Sequence, residues 1–303
     1  MKAVILAAGA GARLAPLTAE MPKCVLPVNG RALLDRQLDA LAAVGVTDVT
    51  VVAGHLADRV VEHVAGRCRV VRNDRYASTN SIVSLHVAAD LVRGDAFLFQ
   101  NADVLYGPAI LTRLLWSPHA NACLVDPLRP HVEGEYHVEL RQGRIVRYGR
   151  DVPHTRSVGE SGQLVKIGER DSAPFFDRIG QIIRAGGEQE FPNRAYDVLM
   201  SGDGLWPVYT AGLPWWEIDT PTDYERCRDA LAASRRRRRH GRWVSWPGRS
   251  CDARGCRPAI ASSPARCSVA TGTPRGRAGT SAPSAPAGSR WTPSTCSSTD
   301  RAC

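Results

Sequence analysis

The chain has 303 residues, with 39 Lys or Arg against 30 Asp or Glu and a formal charge of +9. The excess is local: from Ser234 onward fourteen Arg and no Lys stand against Asp252 and Asp300, a net of +12, which leaves −3 for residues 1–233. A mildly acidic body argues against nucleic acid as partner of the whole chain, and no apolar run approaches the roughly 18 residues of a membrane helix.

In chain order, a strand is predicted at Lys2–Leu6. It runs into Ala7-Ala8-Gly9-Ala10-Gly11-Ala12-Arg13-Leu14, then Pro16-Leu17-Thr18 and Pro22-Lys23. Small side chains let backbone N–H groups approach phosphate oxygens, and a helix just beyond would add its positive N-terminal dipole. Arg13 offers a fork of donors and Lys23 a compact charge, so the segment suits a nucleoside triphosphate. The apolar run breaks at Gly9 and meets Arg13, which argues against a secretory signal. A helix follows over Ala32–Val44, with Leu33, Leu34, Leu38 and Leu41 on one face and Gly45 past its end. Strands at Val49–Ala53 and Arg69–Val71 flank a helix over Leu56–Val64. The polar stretch Asn73–Leu85 opens a helix through Leu91, and Ala96–Gln100 reads as a central strand ending in Asn101-Ala102-Asp103. Repeated strand–helix–strand units imply an α/β fold with a doubly wound sheet and ligands at the carboxyl ends of its strands. Residues 122–167 look more β-rich, as an inserted acceptor-side region would.

This pattern stops at Ser234. Residues 1–233 read as one domain and residues 234–303 as an Arg/Ser/Pro-rich tail. The tail is expected to be disordered, because it has too few large apolar residues to offset ordering. Such a tail can bind anionic lipid or nucleic acid; a reading-frame change in a GC-rich gene would give the same composition, and is the account we prefer. Cys24, Cys68, Cys123 and Cys227 lack metal-ligand spacing and read as reduced small hydrophobes in a cytoplasmic protein.

The opening segment, with Leu6-Ala7-Ala8-Gly9, Arg13-Leu14, Pro16-Leu17-Thr18, Pro22-Lys23 and Leu26-Pro27-Val28 in order, resembles a known signature. It is that of the sugar-1-phosphate and choline-phosphate nucleotidyltransferase superfamily. The resemblance implies a nucleotide-diphospho-sugar transferase-like, Rossmann-like mixed sheet. It places Leu6, Ala7, Ala8, Gly9 and Gly11 around the nucleotide, Lys23 on the α-phosphate and Arg13 on the leaving pyrophosphate. It also implies Mg²⁺ held by Asp103 and by Asp219 of Trp215-Trp216-Glu217-Ile218-Asp219-Thr220-Pro221; two converging carboxylates suit that ion. Asp219 equally suits a helix N-cap ahead of Thr220 and Pro221. Related enzymes often carry D-A-D where this chain has Asn101-Ala102-Asp103, so weaker metal affinity is expected.

The Asn73–Leu85 stretch resembles that of bacterial choline-phosphate cytidylyltransferases and their phosphonate-activating relatives. Sugar-nucleotide enzymes typically carry a Gln and a G-T-A-type turn here. The likeness implies that Asn80 and Ser84 read a pyrimidine, with a plain capping segment as the competing reading. It also implies acceptor residues: Tyr136 and Tyr196, beside Glu135 and Asp197, as half a cage for an ammonium group, Glu160 near them, and Lys166 for the acceptor phosphate. Ordinary packing of the tyrosines and a solvated strand position for Lys166 are the bland alternatives. The expected activity is Mg²⁺-dependent transfer from a nucleoside triphosphate, CTP by preference, to a phosphocholine-like or aminoalkyl- or hydroxyalkyl-phosphonate acceptor. Two rivals stand beside it: a sugar-1-phosphate nucleotidyltransferase using UTP, GTP or dTTP, and a non-catalytic nucleotide- or RNA-associated protein.

Overall fold

Alternation along the central strands decides the architecture. In β1 (Lys2–Ala7), Ala3, Ile5 and Ala7 enter one buried cluster while Val4 and Leu6 enter another. Successive side chains of a strand point to opposite faces, so a run buried on both faces needs apolar residues at every position. The computed structural model describes residues 1–239, with side chains through Ser234.

After β1 come β2 (Pro27–Val28), β3 (Arg31–Ala32), α1 (Leu33–Ala43), β4 (Val49–Ala53), α2 (Ala57–Val64) and β5 (Arg69–Arg72). Next are α3 (Ser81–Val87), α4 (Ala89–Val92), β6 (Phe97–Asn101), β7 (Val104–Tyr106), α5 (Pro108–Leu115) and β8 (Ala122–Asp126). The chain continues through β9 (His137–Arg141), β10 (Arg144–Gly149), β11 (Glu160–Ile167), α6 (Glu169–Arg184) and α7 (Tyr196–Ser201). It closes with β12 (Trp206–Tyr209), β13 (Trp215–Glu217) and α8 (Pro221–Arg239).

The main sheet has the order β10-β9-β11-β6-β1-β4-β5, with β8 and β12 attached beside β11. Strands β6, β1, β4 and β5 are parallel, whereas β11 is antiparallel to β6. One face is covered by α1, α2 and α5 through Leu38, Val60 and Ile110. The other is covered by α3 and α6 through Leu85, Phe175 and Phe176. Phe176 stacks on Phe97 at 5.5 Å and Phe175 on Phe99 at 6.3 Å, which fastens α6 to the sheet. The expected doubly wound mixed α/β sheet is what forms.

The strand order reverses at β1: the chain goes from β1 to β4 on one side, and β6 lies on the other. Leu6 and Asn101 are register partners at that junction. Crevices of α/β sheets open at such switch points. A third cluster, including Leu14, Leu26, Leu105 and Ile218, lies behind this spot. It pins together the segments that carry Arg13, Lys23, Asp103 and Asp219.

Three boundaries differ from expectation. No full helix follows the first loop; Ala12–Leu14 and Lys23–Val25 form single 3₁₀ turns, because Pro16 and Pro27 lack the N–H donors that would continue each into a helix. The helix expected up to Leu91 breaks into α3 and α4 at Ala88. The domain boundary placed at Ser234 falls inside α8, whose backbone continues through Arg239, consistent with arginine's good helix propensity. The remainder of the expected tail lies outside the described residues. Among the described residues, no helix is long and apolar enough to cross a membrane, and Cys24, Cys68, Cys123 and Cys227 are unbonded.

Candidate active site

A cleft of about 630 Å³ opens at the switch point, lined by the β1 loop, the start of α3, the β6 end, the segment before β9, the end of β10 and the segments around Phe191 and Asp219. Leu6, Ala7, Ala8, Gly9 and Gly11 form one wall as expected. A side chain at Gly9 would meet nothing within 4 Å, so the bare backbone faces open space. Gly11 is required for another reason: its φ is +66°, and a Cβ there would come within 3.1 Å of Lys23 Cβ. Thr18 Oγ1 donates to the Gly11 carbonyl at 2.9 Å and fixes the loop.

Asp103 and Asp219, far apart in sequence, meet because β7 and β13 pair antiparallel. Val104 lies opposite Glu217, and the Ile218 N–H donates to the Asp103 carbonyl at 3.0 Å. Lys23 stands between the two acids, with Nζ 2.8 Å from Asp103 Oδ2 and 2.6 Å from Asp219 Oδ1. Burial alone would lower the Lys23 pKa, but the two carboxylates outweigh it and raise it, so the ammonium is charged. Arg13 Nη2 lies 2.8 Å from Asp219 Oδ2 while its side chain stays 72% exposed at the cleft mouth.

Asp219 is not the N-cap of α8. Thr220 Oγ1 donates to Asp223 Oδ2 at 2.7 Å, the Thr220 N–H donates to the same oxygen at 2.9 Å, and the Asp223 N–H returns to Thr220 Oγ1 at 3.3 Å. This reciprocal capping box leaves the Asp219 carboxylate for the cleft. Asp103 Oδ1 is buried with no hydrogen-bond partner. An orphaned carboxylate oxygen beside a second carboxylate fits a hard cation such as Mg²⁺, which takes one or two protein carboxylates and completes its shell with phosphate and water.

Two residues that the sequence reading left unassigned belong here. Gln163 donates through Nε2 to Glu217 Oε1 at 2.6 Å and accepts from Asn101 Nδ2 at 2.6 Å. Its φ is +55°, at an irregularity in the β11 ladder that turns the side chain into the cleft. Asn101 therefore ties the β6 end to Gln163 in place of offering a charge. Glu217 is pushed up to about 8, first by burial and then by the Asp103 and Asp219 carboxylates.

On the expected base side, Asn80 caps α3, its Oδ1 accepting from the Ser81 N–H at 2.7 Å and its Nδ2 donating to the Gln189 carbonyl at 3.2 Å. Ser84 Oγ accepts from Asn73 Nδ2 at 3.0 Å, and no acceptor for its own proton is present among the described residues. Both residues line the cleft.

The expected acceptor residues divide. Tyr136 and Tyr196 reach the cleft, in a ring cluster with Tyr148, whose centroid is 5.6 Å from Tyr136 and 4.9 Å from Tyr196. Tyr196 is almost wholly buried and forms the back wall. Glu160, Lys166 and Asp197 do not line it. Glu160 is buried in an ion pair with Arg129 at 2.7 Å. Lys166 sits opposite Leu98, away from the carboxyl end of β6, and donates to the Ser117 carbonyl at 3.0 Å. Asp197 pairs with Arg178 at 2.8 Å on the surface.

Residues 3–167 match the MobA-like NTP transferase domain. The chain is 30% identical over 256 residues to a Streptomyces rubellomurinus protein named CMP-5'-(3-aminopropyl)phosphonate synthase, covering 79% of this chain and 40% of that one. It is 35% identical over 109 residues to choline-phosphate cytidylyltransferase of Streptococcus pneumoniae, covering 33% of this chain and 47% of that one. The solved structure of CTP:phosphocholine cytidylyltransferase from S. pneumoniae superposes with a TM-score of 0.61 at 20% identity, over 76% of this chain and 98% of that chain, and shows the same fold. The chain spans about half the length of the curated relatives it matches. The domain match takes in more than half of this chain, from β1 through β11, and includes the glycine loop, Lys23 and the β6 end. The chain belongs to the MobA-like NTP transferase family.

Proposed function

We propose that this chain transfers a cytidylyl group from CTP to the phosphate or phosphonate oxygen of a small acceptor and releases pyrophosphate. The observation that carries the reading is the convergence of Lys23 and Arg13 on the Asp103–Asp219 pair, beside an open glycine loop at the switch point. The names of the relatives, a CMP-linked phosphonate synthase and a choline-phosphate cytidylyltransferase, point to the nucleotide and acceptor class.

The acceptor oxygen is already an anion and needs no general base. It attacks the α-phosphorus in line; the bond from that phosphorus to the bridging oxygen breaks, and pyrophosphate carries away the charge. The protein's work is positioning and neutralisation. Lys23 exchanges its carboxylate partners for the α-phosphate, and Arg13 holds the departing pyrophosphate at the cleft mouth. Asp103 and Asp219 would hold Mg²⁺, whose positive charge would offset that of the phosphates. Ser84, whose Oγ accepts from Asn73, has a hydroxyl proton to offer the N3 acceptor of cytosine.

Pyrophosphate release measured with CTP, UTP, ATP and GTP, against phosphocholine, 2-aminoethylphosphonate and glucose 1-phosphate, tests this reading. A mismatched buried hydrogen bond costs roughly 1–3 kcal/mol, so CTP is expected to exceed UTP by about tenfold to a hundredfold in kcat/KM. Equal or better turnover of UTP or GTP with the sugar phosphate would replace it with the sugar-1-phosphate alternative.

A further inference from the structure

The acceptor half of the cleft holds a cation beyond the expected residues. Arg150 follows β10, is exposed, and lines the cleft. Its guanidinium carbon lies 4.7 Å from the Tyr136 ring centroid and 5.4 Å from that of Phe191. Neighbouring arginines are engaged with acids: Arg147 with Asp151, Arg129 with Glu160, Arg156 with Glu139. Arg150 makes ring contacts and no ion pair among the described residues.

Two consequences follow. Tyr136, expected to receive an ammonium group, already carries a guanidinium against its ring, and that charge disfavours a second cation beside it. Stacking also holds the planar fork still, which lowers the ordering cost of receiving a planar oxyanion. The position of Arg150 narrows what that oxyanion is. Beginning at the carboxylate pair, Gln163 holds Glu217; Ser161 Oγ accepts the Gln163 N–H at 3.1 Å and lies 2.7 Å from Tyr148 Oη. Tyr148 adjoins Tyr136, and Tyr136 carries Arg150. Along this series of contacts two tyrosine rings intervene between Arg150 and the acids.

Resting on the nucleotidyltransferase reading above, we propose that the acceptor bears a second oxyanion, a carboxylate, at the end remote from its phospho group, and that Arg150 binds it. The specificity of the site is then for a carboxylate-bearing phosphate or phosphonate over its carboxylate-free counterpart.

The test uses the full chain and two acceptor pairs that differ by one carboxylate: phosphoserine against phosphoethanolamine, and 2-amino-3-phosphonopropionate against 2-aminoethylphosphonate. In the wild type, kcat/KM with CTP should favour the carboxylate member by at least about tenfold, the scale of one charge-assisted bidentate contact. Arg150→Gln should bring that ratio near one, Arg150→Lys should retain part of it, and the KM for CTP should not move. A wild-type ratio at or below one overturns the proposal. So does an equal loss on both members in Arg150→Gln, which would put Arg150 on the shared phospho group. If no acceptor turns over with CTP, the cytidylyl reading fails, and calorimetry with the same four acceptors reads the Arg150 assignment separately. A tenfold difference in Kd that Arg150→Gln erases upholds it; equal Kd values overturn it.

Discussion

Lys23 pairs with both carboxylates in this structure and passes to the α-phosphate in the proposed reaction, so its loss should fall on the barrier more than on binding. Removing one preorganised donor from a developing negative centre costs roughly 3–4 kcal/mol. Lys23→Ala should therefore lower kcat by about a hundredfold to a thousandfold while the KM for CTP changes little in steady-state assays. Near-full turnover would remove the transition-state role. Glu217 gives a pH signature in EDTA-treated protein without nucleotide. Its folded value of about 8 lies above the ordinary 4.5, so between those limits the unfolded chain releases a proton that the folded chain keeps. Stability due to this group is intact below pH 4.5 and declines as pH rises, by up to about 1.4 kcal/mol per unit, until both states are ionised above about pH 8. Glu217→Gln should be nearly neutral for the melting temperature at pH 4.5 and stabilising at pH 8; a pH-independent difference would contradict the assignment. Lys23, Arg13, Asp103 and Asp219 could be picked out as candidates because local motifs carry them, and the structure brings the four together. Gln163, Glu217 and Arg150 were not, because their roles arise from a strand irregularity and from contacts with distant segments such as Phe191.

At the scale of elements, the parallel strands and the helices around them were readable because both-face burial writes continuous apolar runs and helical stripes. The three-residue strands β7 and β13 have no such signature, yet their pairing is what brings Asp103 to Asp219. The sequence showed two candidate roles for Asp219, capping and ligation; the Thr220–Asp223 box assigns capping elsewhere. Thr220→Ala should cost about 1 kcal/mol in denaturant unfolding, the usual worth of an N-cap. Activity should fall further than stability alone requires, because α8 anchors the Asp219 segment. Unchanged stability would mean that the box does not hold the helix end. The displaced acceptor residues teach the converse. Glu160, Lys166 and Asp197 were assigned by likeness of position, and an ion pair, a distant strand end and a surface contact place them outside the cleft.

Among the described residues, two buried clusters flank the main sheet, and a third, smaller one joins the segments that carry Arg13, Lys23, Asp103 and Asp219. Every residue assigned to chemistry lies before α8. A chain ending at Arg239 should therefore fold and keep the proposed pyrophosphate release within about twofold, since the buried clusters and the cleft are built from residues before 240. Loss of activity would give residues 240–303 a catalytic or folding role, whereas loss of RNA or anionic-lipid binding alone would make them a tether. The central claim is that CTP and a phospho-acceptor are joined at the Asp103–Asp219 pair. It is tested by ³¹P NMR of reactions with Mg²⁺, CTP and either 2-aminoethylphosphonate or 2-amino-3-phosphonopropionate, in wild type and Asp219→Asn. A mixed anhydride of CMP and a phosphonate, together with pyrophosphate, is expected in the wild type, and neither at comparable rate in the variant. No CMP-linked product from CTP, or equal product from Asp219→Asn, would contradict it.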